Sequence, residues 1–264
     1  MTKTGGPEDH HTLVEHLGRL EREIQAVTTR AERAEASLAA HTGRVVPAWR
    51  RVTATEGRLP VTVAVLGMIA LQTRVPEHLS LFRWWILPVV EVGILIGIIA
   101  ANPGRVDQSS RRLRVLSLLL IALASLANAW AAASLVVGLV HGTQGKEATT
   151  LLLTGANIWF TNIVIFGLWY WDLDRGGPTA RACGNRHTPD FVFPQMTSPH
   201  LAGIDWEPKF VDYLYLAFTN ATAFSPTDTM PFSRWAKVTM MLQSTISLTT
   251  GALIVARAVN ILGS

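Results

Sequence analysis

The chain has a single cysteine, Cys183, and so cannot form an intramolecular disulfide. That thiol lies in the polar run Arg181-Ala-Cys-Gly-Asn-Arg186 and reads as an unpaired side chain without a role, the alternative being a reactive thiol helped by the two arginines. Charge is also scarce. Asp, Glu, Lys and Arg make up 16% of the 264 residues, against about 25% in soluble domains. Lysine is rarest, with four against nineteen arginines. The first twelve residues are polar and no apolar run precedes residue 60, so no signal peptide is expected. There is no Walker A loop, Rossmann glycine fingerprint, His-Glu-x-x-His, cysteine-pair metal spacing or Gly-x-Ser-x-Gly elbow. These absences remove the usual signatures of enzymes. The expectation is a non-enzymatic protein with no cofactor and no metal. His10-His11 offers at best a chance metal affinity.

What is abundant is apolar surface. Hydrophobic residues are 49% of the chain, and the mean hydropathy is +0.27. This length can hold roughly five membrane helices of about 20 residues each, plus loops. The net charge of +4 reads first as a topology signal, and no nucleic-acid partner is expected.

Residues 1–8 read as a disordered lead. A helix is predicted from about residue 9 to 41, because Leu13, Leu17, Leu20, Ile24, Val27, Ala31, Ala34 and Leu38 follow one another at alternating spacings of four and three. Such a seam suits a coiled coil. An amphipathic helix lying on the membrane or on its own protein is the alternative. Gly43 and Pro47 end it. Residues 45–58 form a basic hinge. Four spans are then expected within 59–171, at about 59–73, 84–101, 115–140 and 150–171. Trp169-Tyr170-Trp171 reads as an interfacial aromatic belt. Residues 172–208 read as a loop on the cytoplasmic side. Residues 209–224 read as a re-entrant or interfacial helix, with Asp205 as its cap and Pro208 in its first turn. A last span follows at about 236–262. The expected fold is thus an all-α bundle of five spans behind a cytoplasmic coiled-coil-like helix (1–44), with 209–264 as a pore-helix-like segment plus last span.

With the N-terminus inside, the inner loops carry fourteen Lys and Arg and the outer loops three, Arg74, Arg83 and Lys146. That asymmetry places the N-terminus in the cytoplasm and the C-terminus outside.

Two ionisable residues fall within the spans, Glu91 and Arg257. At 1.5 Å per residue both sit roughly 8–10 Å below the outer interface. An isolated charge costs about 2.5–3.5 kcal/mol at a helix centre, so the two are predicted to meet, with Asn157 or Asn260 beside them. The pair is read either as a structural clamp or as part of an ion path. Asn128 and Asn162 read as interhelical amides. Ala131-Ala-Ala-Ser134 and Gly155-Ala156 read as close-approach surfaces.

The stretch from Tyr213 to Lys237 resembles the pore helix and filter of two-helix potassium channels. Thr222, Asp228, Pro231 and Arg234 fall at matching places. Ser225, Pro226 and Thr227 stand where that family has Gly-Tyr-Gly, which argues against a potassium-selective filter, because successive carbonyls could not turn inward. The loop also faces the opposite side of the membrane. Asp228 reads as a turn residue or an ion ligand. More broadly, Ile158–Asn162 with Trp169–Pro178, Pro189–Met196 and Phe218–Pro231 look like a family of uncharacterised bacterial integral membrane proteins. This likeness covers about residues 59–262 and implies a membrane bundle with no particular reaction. The expected function is a channel-like pore-loop membrane protein. Its ion-path candidates are Glu91, Asn157, Asn162, Thr222, Asp228 and Arg257, and it is expected to self-associate in the bilayer through Leu13, Leu17, Leu20, Ile24, Val27 and Leu38 or through the bundle. The alternative is a membrane scaffold that uses its N-terminal helix.

Overall fold

The computed structural model describes residues 47–101, 111–143, 147–184, 188–203, 205–222 and 228–262. The chain divides into two compact units, Met1–Val46 and Pro47–Ser264. The first unit, with the lead at 1–8 and the heptad seam, lies outside the described residues.

The second unit is mostly helical. Its main helices are α1 (Leu59–Gln72), α2 (Ile86–Ala101), α3 (Arg111–Val140), α4 (Ala148–Leu173), α5 (Phe210–Thr222) and α6 (Arg234–Leu262). Their bounds follow local signals. Pro60 sits in the first turn of α1, where a missing N–H costs nothing. Glu147 precedes α4 in extended conformation and accepts from Thr150 Oγ1 at 2.8 Å. Three helices are long and apolar enough to cross a membrane, namely α3, α4 with its C-terminal extension to Gly176, and α6. The helices α1 and α2 are apolar but shorter, 14 and 16 residues, or about 21 and 24 Å. Trp84 and Trp85 fall in the turn before α2 and are exposed.

The centre of the unit is α4. In its most apolar stretch 61% of the residues are buried, against 33% in α3 and 28% in α6. A helix apolar on every side belongs inside, and this one packs along α5, α6, α1 and α3. The close approaches are made at glycines. A Cβ on Gly155 would collide with Ile254 Cδ1 of α6, and one on Gly167 would lie 3.2 Å from Leu214 Cα of α5. The expected small-residue surfaces are used here. Ala131 and Ala132 are buried with Leu135, Leu151, Ile158 and Ile254. The outer faces carry large apolar side chains in the open, among them Val89, Ile96, Leu126, Leu153, Leu248 and Val259. So much exposed apolar surface suits a lipid surround.

The aromatic belt expected at the end of α4 is corrected by the fold. Tyr170 and Trp171 are buried in the main core, and Trp169, half-buried, donates from Nε1 to Ser125 Oγ of α3 at 2.9 Å. These rings bind helix to helix because the segment after α4 folds back over them. Within it, β1 (Phe191–Val192) pairs antiparallel with β2 (Met230–Pro231), Phe191 opposite Pro231. Phe191 is packed by Tyr170, Tyr213 and Trp235 at ring separations of 5.1, 6.5 and 5.5 Å. Within 172–208, expected as a loop, the described residues thus contribute a packed cap.

Candidate functional site

The cap is organised on one carboxylate. After Leu173 the chain turns sharply, with Arg175 at φ 51° and Gly176 and Gly177 also at positive φ. A left-handed arginine is a strained choice that the surroundings must hold in place. The turn points Asp174 inward, fully buried. Its Oδ1 accepts from the backbone N–H of Asp190 at 2.8 Å and of Phe191 at 3.4 Å, and its Oδ2 accepts from Tyr213 Oη at 2.6 Å. Arg175 Nε lies 3.5 Å from the same carboxylate, and Arg175 Nη1 donates to Trp49 O at 2.7 Å. Asp190 accepts from Arg175 N at 2.8 Å and from Trp235 Nε1 at 2.9 Å. Arg181 donates to the carbonyls of Trp171 and Asp174 at 2.5 and 3.0 Å and lies 5.0 Å from the Tyr213 ring centre. Burial pushes the Tyr213 phenol well above its ordinary range, because its charged form would be desolvated beside Asp174.

Glu56 ties this cap to α5. It accepts from Trp171 Nε1 at 2.9 Å and from Phe210 N, the first residue of α5, at 2.8 Å. Acceptors at a helix start satisfy orphan N–H groups and favour the dipole. The expected cap, Asp205, does not hold α5. Asp212 accepts from Lys209 N at 2.8 Å, while Asp205 forms an exposed ion pair with Arg51. The reason is distance along the chain, since Asp205 lies five residues before the first helical residue. Burial raises the Asp212 carboxyl above its usual value, partly offset by the Lys209 backbone hydrogen bond and charge.

From this end α5 runs along α4 toward its middle. Phe210 touches Trp171 (ring centres 6.0 Å), Leu214 meets Gly167, and Phe218 reaches Trp159 at 6.1 Å. By Met230 and Trp235 the chain is again at the Asp174 end, beside β1 and Asp190. The chain therefore enters α5 and resumes after it at the same end of the bundle, while the C-terminus of α5 stands near the midpoints of α4 and α6.

A polar seam joins the three helices there. Tyr170 Oη donates to Gln243 Oε1 at 2.6 Å, and Asn220 Nδ2 donates to the same oxygen at 2.8 Å and to Met240 O at 3.0 Å. Gln243 Nε2 donates to Ala217 O at 2.8 Å. Ser244 Oγ donates to Asn220 Oδ1 at 3.0 Å. Asn162 Nδ2 donates to Ser247 Oγ at 3.0 Å, so Asn162 is the interhelical amide expected of it.

The predicted ion-path residues are not assembled in one place. Asn162 lies on the seam, and Thr222 ends α5 just past Asn220, its Oγ1 donating to Thr219 O at 2.9 Å. Asp228 is exposed, and Asn157 is half-buried on α4. The expected Glu91–Arg257 contact is not formed. The Arg51–Asp205 and Asp174–Arg175 ion pairs involve neither Glu91 nor Arg257, and neither Glu91 carboxylate oxygen has a hydrogen-bond partner. Glu91 lies fully buried beside the Gln72 amide, and Arg257 Nε has no acceptor. Equal depth brought the two to one level but said nothing of direction around the bundle. The helix of Glu91 packs mainly on α1 and α3, whereas that of Arg257 packs on α4, α5 and α3. Among the described residues no group of three or more His, Cys, Asp or Glu side chains could hold a metal ion.

The sequence reading missed Glu56, Asp190, Tyr170, Tyr213 and Gln243. For Gln243 a signal was present, since Gln243, Ser247 and Thr250 recur at helical spacing and all are buried. Glu56 and Asp190 act across long separations and left no local trace. No family model matches this chain, and no curated protein or solved structure does.

Proposed function

We propose that this is a five-span membrane protein, N-terminus in the cytoplasm and C-terminus outside, that works as a channel-like pore-loop assembly of several copies. The observation that carries the reading is the course of the chain through α5, which leaves and regains the same end of the bundle with the helix C-terminus at mid-depth. The last carbonyls of a helix lack intrahelical donors and form its negative dipole end. At mid-depth such a terminus is tolerated only against protein or a water-filled path, and it favours a cation. The likeness of residues 213–237 to a channel pore helix agrees with this arrangement. In this reading α1 and α2 cross with Arg58 and Arg74 reaching the two interfaces, and the conducting path lies between copies, lined by Thr222 and Asp228.

The reading is tested by cation flux into proteoliposomes. Flux is expected from the intact chain and is expected to fall several-fold in Asp228→Asn, with the protein still oligomeric. Flux no greater than from empty vesicles would sink it. A second reading, a non-conducting membrane scaffold, is favoured by the seam, where Asn162, Asn220 and Gln243 use their donors on partners within the bundle. In that case flux is absent, and deleting residues 1–44 abolishes partner recruitment while the bundle stays folded.

A further inference from the structure

Glu91 of α2 is fully buried, and its carboxyl lies beside the side-chain amide of Gln72, the last residue of α1. The two helices pack on each other. Neither oxygen of Glu91 and neither polar atom of Gln72 has a hydrogen-bond partner, and all four atoms are shielded from solvent. The helices packed on α2 supply no charged side chain at this level. Glu91 is the sole titratable residue of α2, and α1 has none. On α3, the other helix packed on α2, the charged side chains are Arg111, Arg112 and Arg114 in its first turn. Leu113 of that turn lines the same small space as Ile98 of α2. Those arginines therefore stand about 10 Å along the helix from Glu91.

An ionised carboxylate with no donor at either oxygen and no cation beside it is far costlier to bury than the neutral acid. The neutral acid donates one O–H and accepts at its other oxygen, and a side-chain amide offers both complements, Oε1 to accept and Nε2 to donate. A hard metal cation asks for about six or more oxygens, whereas Glu91 and Gln72 present three. We propose that Glu91 and Gln72 form a proton-binding site, in which the Glu91 carboxyl carries a proton that it donates to the Gln72 amide, joining α1 to α2. Loss of that proton leaves a bare carboxylate at the contact, so release requires α1 and α2 to part and admit water. The site is remote from the conducting path and from the N-terminal helix, and it stands apart from both readings above because protein alone buries it.

The test uses the full chain in detergent at neutral pH, where ordinary carboxyls are ionised, and compares infrared spectra of wild type and Glu91→Gln. Wild type is expected to show a protonated-carboxyl C=O band that Glu91→Gln loses. Gln72→Leu is expected to keep the band and shift it to higher frequency, as loss of a hydrogen bond requires. A carboxylate band in place of the acid band overturns the proposal. So does a band unmoved in Gln72→Leu, or one that sodium or potassium chloride converts to carboxylate, since a metal cation would then be the occupant. A second measurement needs no variant. Dicyclohexylcarbodiimide, an apolar reagent that adds to protonated carboxyls, is expected to modify Glu91 in the wild-type chain, read by peptide mass spectrometry. Glu91 left unmodified overturns the site.

Discussion

Asp174 shows how much a single side chain can organise when it is buried with its acceptors filled. It gathers two backbone N–H groups from the segment at β1, a phenol from α5 and a guanidinium from its own turn. Removing one partner of such a buried charge leaves the others unmatched, so Asp174→Ala is expected to cost roughly 3–5 kcal/mol. Tyr213→Phe, which removes one hydrogen bond to a charged group, is expected to cost about 1.5–3 kcal/mol. Denaturant unfolding in detergent measures both, and the double variant should lose less than the sum. The same phenol sets a pH limit. Its folded value is raised, so its contribution is complete below the ordinary phenol value of about 10 and is lost as pH rises toward the folded one. Stability should therefore fall on strongly alkaline titration in wild type, and less in Tyr213→Phe.

At the scale of elements, α4 is held by close contact with α5 and α6. Gly167→Ala would press a methyl group against the Leu214 backbone, with an expected cost of about 1–3 kcal/mol. The same change at Gly93, where a Cβ meets nothing within 4 Å, should be nearly silent. The α5 helix offers a second check. Val211, Tyr215 and Phe218 are exposed, whereas Tyr213, Leu216 and Ala217 are buried. In a Cys183→Ser background, single cysteines at the first three positions should react with a small thiol reagent, and those at the last three should not. Reaction at all six would show that α5 does not dock. The helices themselves were legible, since the expected apolar segments coincide with α1, α2, α3, α4 and α6 to within a few residues. Long apolar runs between prolines, glycines and arginines leave the backbone few alternatives. The depth of α5 was not legible, because it depends on Gly167, Asn220 and Gln243 meeting across three elements.

At the scale of the whole molecule, three helices are long enough to span and two are shorter, so crossing is the property to test. On the proposed topology, a cysteine placed at Ser264 in a Cys183→Ser background should label from outside intact cells, and one placed near residue 44 only after permeabilisation. Labelling of both from one side would remove the odd number of crossings.

By itself the sequence determined that the chain is a set of apolar helices with arginine-rich ends, because hydropathy, segment length and charge asymmetry are properties of contiguous residues. Only the tertiary structure decided which polar groups meet. It turned an expected aromatic belt into core, separated Glu91 from Arg257, and made Asp174 the centre of a cap reaching from Trp49 to Trp235. Depth along a helix follows from counting residues, but the direction a side chain faces around a bundle follows from which helices pack together, and no single segment contains that information.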